Sequence, residues 1–426
     1  MGRHPTTVKT VILDDDPTGT QSSQHVRVLL DTAAELIETE LRTVDTLFLQ
    51  TNSRAIDEGA AVNLVRRIRH DTLRVAHALG HDVQFVLRGD STLRGHVFAE
   101  TDVFRGPDTL MLFVPAFPAG GRTTVGGVHQ VRVDGHDVPA HQTEYARDPV
   151  FGFRTGVLAD YVAQRSADPV VSVGLATVRG DREGLIEVFT TAPRRAVIVP
   201  DAQTDGDIGA IAAATIAARH RGREIVVRCA APLAATLGAV SSSGFLPLPL
   251  LPSPQPTVLV CGSHTTGATR QLAAVTAVFG DPVSVDTDQA MADPTAAGRA
   301  AAAHLLDRLR RSGLAILSSE RVRRDHHNSL DHGEKIMAAL TEAVRLVSPH
   351  VGVVAAKGGI TSAEVAKSGL RSRSGTVLGQ IAAGVSAWQL DVAGSRTAVY
   401  IVVPGNVGDD ATLLHALAAV GFGIPS

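Results

Sequence analysis

At 426 residues the chain exceeds what one hydrophobic core usually supports, so two domains are expected. Hydrophobic residues make up 44% and charged residues only 19%, which excludes a disordered chain, and a net charge of −3 gives no electrostatic reason to expect nucleic acid as a partner. Two cysteines, Cys229 and Cys261, are too few for a disulfide scaffold and sit in apolar strand-like runs, as buried thiols of a reducing compartment do.

A first strand is expected at Val8–Leu13, so near the start that it leaves no room for a signal peptide. Met1-Gly2 with Thr6 fits the loose myristoylation pattern, but Pro5 and the strand behind it favour chance. No run of about 18 apolar residues exists to span a membrane, and a cytoplasmic protein is expected. Asp14, Asp15 and Asp16 fall where the strand must end, and Pro17 and Gly19 then force a turn. Loops at the carboxyl ends of parallel strands are where open α/β sheets bind ligands. Three adjacent acids repel one another, so a purely structural loop has little reason to carry them. They read either as a solvated acidic turn or as a cluster that binds a metal or abstracts a proton.

Alternation then continues. Strands are expected at Val26–Leu30, Thr46–Gln50, Val83–Leu87 and Thr109–Val114, with helices over Thr32–Arg42 and Asp57–Leu79, the latter capped by Asp57. Between Val83–Leu87 and the next strand lies Arg88-Gly89-Asp90-Ser91-Thr92-Leu93-Arg94-Gly95. Arginines flanking an acid and hydroxyls in a glycine-bounded loop suit bidentate capture of a carboxylate or phosphate, or else an internal Asp–Arg pair. The Gly-, Pro-, His- and Thr-rich region from Pro115 to Gly152 breaks the pattern and reads as an excursion or lid. Strands at Val170–Val173, Ala196–Val199 and Ile225–Val227 and a helix at Ile208–Arg219 follow.

Pro247, Pro249, Pro252, Pro254 and Pro256 mark a semi-rigid linker. The expected division is a first domain over 1–245, a linker over 246–256 and a second domain over 257–426. In the second, strands are expected at Thr257–Cys261, Val283–Val285, Leu314–Leu317, Val351–Ala355 and Ala398–Val403, with helices to Phe279, over Pro294–Arg311 and around Glu334–Val347. The fold class is thus α/β: two α/β domains with mainly parallel sheets joined by a proline-rich linker.

Three loops of the second domain carry chemistry. Gly262-Ser263-His264-Thr265-Thr266-Gly267-Ala268 has the glycine spacing of a P-loop but Ala268 where its lysine belongs, so it is not one. Lys357-Gly358-Gly359-Ile360-Thr361-Ser362 opens a helix, with Thr361 able to cap it and Lys357 supplying positive charge. Pro404-Gly405-Asn406-Val407-Gly408 follows the last strand. Such loops at one sheet edge fit a nucleotide phosphate site. Asp325, His326, His327, Asp331 and His332 lack zinc-ligand spacing and sit behind a polar run, so zinc is not expected.

Taken together, these motifs resemble the four-carbon acid sugar kinase family over essentially the whole chain. Asp15-Asp16-Pro17-Thr18-Gly19 resembles its amino-terminal signature, and Asp90-Ser91-Thr92-Leu93-Arg94-Gly95 its most specific motif. Pro115-Ala116-Phe117-Pro118 with Gly121-Arg122-Thr123 is similar to its substrate-side loop. Ile360, where an acid is frequent, and the ending Pro-Gly-Asn-Val-Gly depart from it. The resemblance implies a sugar-acid domain first and a nucleotide domain second, with ATP and Mg2+ as cofactors and phosphoryl transfer to a short sugar acid such as threonate, erythronate or an oxo-tetronate. It implies Asp15 or Asp16 as proton acceptor, and Thr18, Arg88, Asp90, Ser91, Arg94 and Gly95 as substrate-binding, with the two arginines on the carboxylate. Ser263, Gly358, Gly359, Ile360, Thr361 and Gly405 would seat ATP. Asp14 is expected to be the most dispensable acid. No metal ligand is assigned, the partner is a small-molecule sugar acid, and a homodimer is compatible with this reading. Two rivals stand beside it: a haloacid dehalogenase-like phosphatase with Asp14 as nucleophile and Asp16 as acid–base partner, and a non-catalytic sugar-acid-binding protein.

Overall fold

The computed structural model describes residues 8–133, 135–321, 330–393, 396–405 and 407–424. The myristoylation reading at Met1, Gly2 and Thr6, the polar-loop residues Asp325, His326 and His327, the side chain of Asp331, and Asn406 lie outside the described residues. The chain divides into two compact units, Met1–Ser242 and Ser243–Ser426.

In the first unit the strands are β1 (Val8–Asp14), β2 (Val26–Leu29), β3 (Thr46–Gln50), β4 (Asp82–Arg88), β5 (Leu110–Val114), β6 (Arg122–Val125), β7 (Val128–Val133), β8 (His136–Pro139), β9 (Val170–Val173), β10 (Val197–Pro200) and β11 (Ile225–Cys229). The main sheet runs β2-β3-β1-β4-β11-β5-β10-β9 with every neighbouring pair parallel. β1 is central, and all its residues after Val8 are buried, as a strand covered on both faces requires. The helix Glu58–Leu79 starts where the Asp57 carboxylate accepts the Ala60 N–H at 2.9 Å, and it stops at Gly80, whose φ of 76° only glycine adopts easily. Its Val65, Ile68 and Val75 pack with Ile37 and Leu41 of the helix Ala34–Leu41 against Val11, Leu13, Leu47 and Leu49. Each such fully buried aliphatic contributes roughly 1.5–3 kcal/mol.

The region from Pro115 onward forms its own antiparallel sheet, β6-β7-β8. The β6–β7 turn is Gly126-Gly127, both at positive φ (60° and 76°), the left-handed backbone a two-residue hairpin demands. The Asp201 carboxylate anchors it, accepting both turn amides at 2.8 Å. Val131, Phe153, Tyr161, Phe113 and Leu93 form the core beneath.

The second unit contains β12 (Thr257–Cys261), β13 (Val283–Val285), β14 (Leu314–Ser319), β15 (Val353–Lys357), β16 (Ser374–Ala382), β17 (Val385–Val392) and β18 (Arg396–Val403). Its order is β13-β14-β12-β15-β18-β17-β16. The first five strands are mutually parallel, whereas β17 and β16 continue the sheet antiparallel. The proline-rich stretch expected as a linker lies on this unit. The Leu246 N–H donates to the Gln380 carbonyl and the Leu250 N–H to the Ala419 carbonyl, both at 2.7 Å, and Leu246, Leu250 and Leu251 pack against the unit's core.

Candidate functional site

Register decides what meets at the carboxyl edge of the first unit's sheet. Gln50, Asp14, Arg88 and Cys229, the last residues of β3, β1, β4 and β11, are aligned side by side. Parallel neighbours in register project to the same face, so Asp14 is flanked by Gln50 and Arg88. Gln50 Nε2 donates to Asp14 Oδ2 at 2.8 Å, and Arg88 Nη1 donates to Asp14 Oδ1 at 3.0 Å. Asp14 has no exposed surface. Gly19 closes over it: a Cβ there would lie well under 3.0 Å from the Asp14 carboxylate. The acid expected to be most dispensable is therefore the most deeply enclosed.

The next two acids diverge. Asp15 meets three guanidinium groups, Arg228 Nη2 at 3.2 Å, Arg88 Nη1 at 3.4 Å and Arg54 Nε at 3.6 Å. Asp16 caps the short turn Pro17–Ser22, its Oδ1 accepting the Thr18 N–H at 2.7 Å while Oδ2 pairs with Arg54. These environments separate their proton affinities. Burial, opposed by Arg88 and reinforced by Asp15 and Asp16, pushes the Asp14 carboxyl up to about 7. Burial also raises Asp15, against Arg54, Arg228 and Arg88. Although burial opposes ionisation of Asp16, Arg54, Arg88 and the Thr18 hydrogen bonds hold it below the usual carboxylate range.

The loop after β4 closes the site. Asp90 accepts from Arg94 Nε at 2.7 Å and from the Thr92 hydroxyl, and it lies 3.5 Å from Arg54 Nη1. Burial disfavours its charge, but Arg94 and Arg54 hold it well below the ordinary range. Leu93 sits at φ 68° with its carbonyl taking the Tyr161 hydroxyl at 2.8 Å, and the Ser91 carbonyl accepts His129 Nε2 at 2.8 Å. His129 Nδ1 faces the Thr124 hydroxyl at 3.0 Å, and burial pushes this imidazole down to about 4, so it is neutral. The Nε2 proton then donates to Ser91, while Nδ1 accepts from Thr124. Arg94 keeps a quarter of its side chain exposed and lies over the Tyr145 ring, 5.1 Å from its centroid, with Asp148 3.8 Å away.

Asp15, Asp16, Thr18, Arg88, Asp90, Ser91, Arg94 and Gly95 thus share one edge. Arg88, expected on a substrate carboxylate, is instead 2% exposed and engaged by Asp14, Asp15 and the Asp16 carbonyl. In this structure its guanidinium is taken up by those partners. The sequence reading missed Arg54, Gln50, His129, Glu100 and Arg228. Arg54 follows a strand end just as the other motifs do, and Arg228 interrupts the apolar run of β11, so both carried a signal. Glu100 carried none.

At the carboxyl edge of the second unit, Ser318, Cys261, Lys357 and Val403 are aligned. Three expected loops close in on one another there. A Cβ on Gly262 would lie 2.5 Å from Thr361 Oγ1, one on Gly358 (φ 112°) 3.0 Å from Ser263 Cβ, and one on Gly405 3.1 Å from Ser263 Oγ. Thr265 Oγ1 donates to the Gly405 carbonyl at 2.9 Å and also caps its own helix at the Ala268 N–H. Two expectations are corrected. Thr361 lies inside the helix Gly359–Glu364, whose N-cap is Gly358, so it does not cap it. Lys357 ends β15 fully buried, its Nζ donating to the carbonyls of Pro404 (2.6 Å) and Val407 (3.2 Å), and burial pushes it down to about 8; it ties two loops together and does not face a ligand. Ile360 is half exposed beside them. The amides of Gly359, Ile360 and Thr361 open the helix, where no intrahelical carbonyl can receive them. Backbone amides crowded by glycines are suited to phosphate oxygens, so these loops fit a nucleotide. Among the described residues no group of three or more His, Cys, Asp or Glu is placed to hold a metal ion, and no helix is long and apolar enough to cross a membrane.

Residues 10–237 match the sugar-binding N-terminal domain family and residues 258–413 the nucleotide-binding C-terminal domain family. The chain is 31% identical over 255 residues to a D-erythronate kinase of Heliobacterium modesticaldum, across 59% of this chain and 54% of that one. It is 28% identical over 277 residues to a D-threonate kinase of Salmonella typhimurium, across 62% and 60%. The matches therefore span little more than half the length of these relatives. A solved Haemophilus influenzae protein, 17% identical, aligns over 96% of this chain and 99% of that one with a TM-score of 0.64, which shows a shared fold. With the sugar-binding match alone covering more than half of its residues, the chain belongs to the four-carbon acid sugar kinase family, whose members join a sugar-binding N-terminal domain to a nucleotide-binding C-terminal domain.

Proposed function

We propose that this protein is an ATP-dependent kinase that phosphorylates a hydroxyl of a four-carbon sugar acid of the threonate, erythronate or oxo-tetronate class. The observation that carries this reading is the arrangement around Asp15 and Arg94. A carboxylate with raised proton affinity shares a strand edge with an arginine that keeps part of its surface open. A base whose affinity is raised toward neutrality suits the removal of a hydroxyl proton. Asp15 is the proton acceptor in this scheme. Asp16, with lowered affinity and a cap to maintain, orders the turn that carries Thr18 and Gly19. Arg94 is the group for the substrate carboxylate, with Arg54 beside it, and Asp90 fixes the Arg94 fork. Ser91 and Gly95 line the same loop. Arg88 serves by holding Asp14 and Asp15 in place.

Ser263, Gly358, Gly359, Ile360, Thr361 and Gly405 would seat ATP. Bound with Mg2+, ATP supplies the phosphoryl group, and catalysis rests on positioning and charge neutralisation more than on covalent chemistry by the protein. The names of the two kinase relatives support the substrate class. A dehalogenase-like phosphatase is disfavoured, because its nucleophile would be Asp14, whose two oxygens are already held by Gln50 and Arg88 beneath Gly19. A cytoplasmic location accords with metabolism of a small acid. The test is a screen of the purified full chain with Mg-ATP against a panel of four-carbon acids. Turnover of one or more supports the kinase. Binding of an acid without turnover would make the protein a non-catalytic binder, and ATP-independent hydrolysis of a sugar phosphate would restore the phosphatase.

A further inference from the structure

One buried ion pair stands behind the acids and is required by none of the roles above. Arg228 of β11 and Glu100 of the short helix Val97–Asp102 are each 2% exposed. Arg228 Nη1 donates to Glu100 Oε2 at 2.6 Å, and its Nη2 donates to Asp15 Oδ2 at 3.2 Å. The loop between β4 and that helix is shaped around this guanidinium. A Cβ on Gly89 would sit 2.7 Å from Arg228 Nε and Nη2, and one on Gly95 would sit 3.3 Å from both Arg228 Nη2 and Asp15 Oδ2. Both glycines that bound the Arg88–Gly95 motif thus leave room for an arginine that lies far along the chain. Burying two charges is costly, and replacing such a pair by apolar residues is often neutral or stabilising, so stability alone does not account for it.

We propose that the Arg228–Glu100 pair is a positioning device for Asp15, with Arg228 fixing the orientation of the Asp15 carboxylate and Glu100 offsetting part of the guanidinium charge so that Asp15 can still take up a proton. This rests on the reading of Asp15 as the proton acceptor. The groups facing Asp15 are Arg54 from the turn after β3, Arg88 from β4, Arg228 from β11, Glu100 from the helix and Asp14 beside it. Arg54 and Arg88 already favour the carboxylate form. A third, uncompensated guanidinium at 3.2 Å would favour it further and leave a poor base. With Glu100 in place, that pull is partly offset while Arg228 still donates a directional hydrogen bond.

The pair therefore predicts opposite effects of its two members on one group. Arg228→Met removes a positive charge and should raise the proton affinity of Asp15, whereas Glu100→Gln unmasks Arg228 and should lower it, each by about one pH unit. The measurement is 13C NMR titration of the Asp15 carboxyl in the full chain, assigned through Asp15→Asn, together with the acid limb of the kcat/KM profile for whichever acid is turned over. Midpoints displaced upward in Arg228→Met and downward in Glu100→Gln support the proposal. If Arg228→Met does not fold, comparison of Arg228→Met/Glu100→Gln with Glu100→Gln supplies the same contribution without an unpaired buried acid. Midpoints that do not move, or that move together, would overturn it even if both variants lose activity, since a purely structural pair lowers activity without opposite shifts. Opposite NMR shifts in a protein that phosphorylates no acid would leave the pair's action on Asp15 standing and remove the kinase reading instead.

Discussion

Gly19→Ala is the sharpest test of how the acidic edge is built. Every atom of the Asp14 carboxylate group lies well within 3.0 Å of where the new Cβ would stand, and that carboxylate is fully buried. Relief can come in two ways. The carboxylate can swing aside, losing the 2.8 Å bond from Gln50 and the 3.0 Å bond from Arg88, each involving a charged group and worth about 1.5–3 kcal/mol. Alternatively the turn Pro17–Ser22 can lift, straining the Asp16 cap and costing about 1–3 kcal/mol, as overpacking does. The cheaper route sets the cost, so the expected loss is about 1–3 kcal/mol, or roughly 2–12 °C in the unfolding transition of a unit this size. Differential scanning calorimetry reads it, with Gly209→Ala as control. Gly209 lies in the helix Asp205–His220 with nothing within 4 Å of an added Cβ, so that change should stabilise by about 0.5–1 kcal/mol. A Gly19→Ala protein within about 1 kcal/mol of the parent would refute the enclosure of Asp14 on which the case against an Asp14 nucleophile depends.

Arg94→Lys should raise the KM for the acid by about ten- to a hundredfold while leaving that for ATP unchanged, because a lysine cannot hold Asp90 and a substrate carboxylate with one planar fork; an unchanged acid KM would sink the assignment. Gly405→Val should abolish ATP binding in isothermal titration calorimetry while acid binding persists, since its side chain would enter the space beside Ser263 Oγ and Gly358 Cα; retained ATP affinity would remove the loop from the nucleotide site. Asp14, held up to about 7 in the folded protein against 3.8 without the fold, contributes stability that is complete below 3.8 and is lost as pH rises through about 7. Asp14→Asn should therefore gain stability relative to the parent between pH 4 and pH 7, by up to about 4 kcal/mol in urea unfolding, and a constant difference across that range would contradict the assignment.

Much of this protein is local enough to read from its residues. Parallel strands leave short apolar runs whether fully buried, as β3 and β12 are, or at an edge, as β9 and β13 are, and all four occupy the spans expected of them. The helix Glu58–Leu79 begins after its cap at Asp57 because that carboxylate competes for amides within a few residues of itself. Strand-end acids, arginines and glycines were legible for the same reason: ligand chemistry in parallel sheets gathers where strands stop. The hairpin β16–β17 was not legible, since its glycines interrupt the β-branched runs and its alternating burial along Ser374–Ala382 exists only once the neighbouring strand is in place. Nor was the sorting of the three acids. Asp14, Asp15 and Asp16 are chemically identical and adjacent, and what separates them is which side chain the register delivers: Gln50 and Arg88 to the first, Arg228 to the second, Arg54 with the Thr18 amide to the third. Arg88 and Lys357 look from the sequence like cations for a ligand, yet each is the last residue of a central strand, and a buried charge there must find its partners within the protein. Sequence specified the kinds of groups at each edge; long-range pairing decided which remain open to a ligand and which hold the others in place.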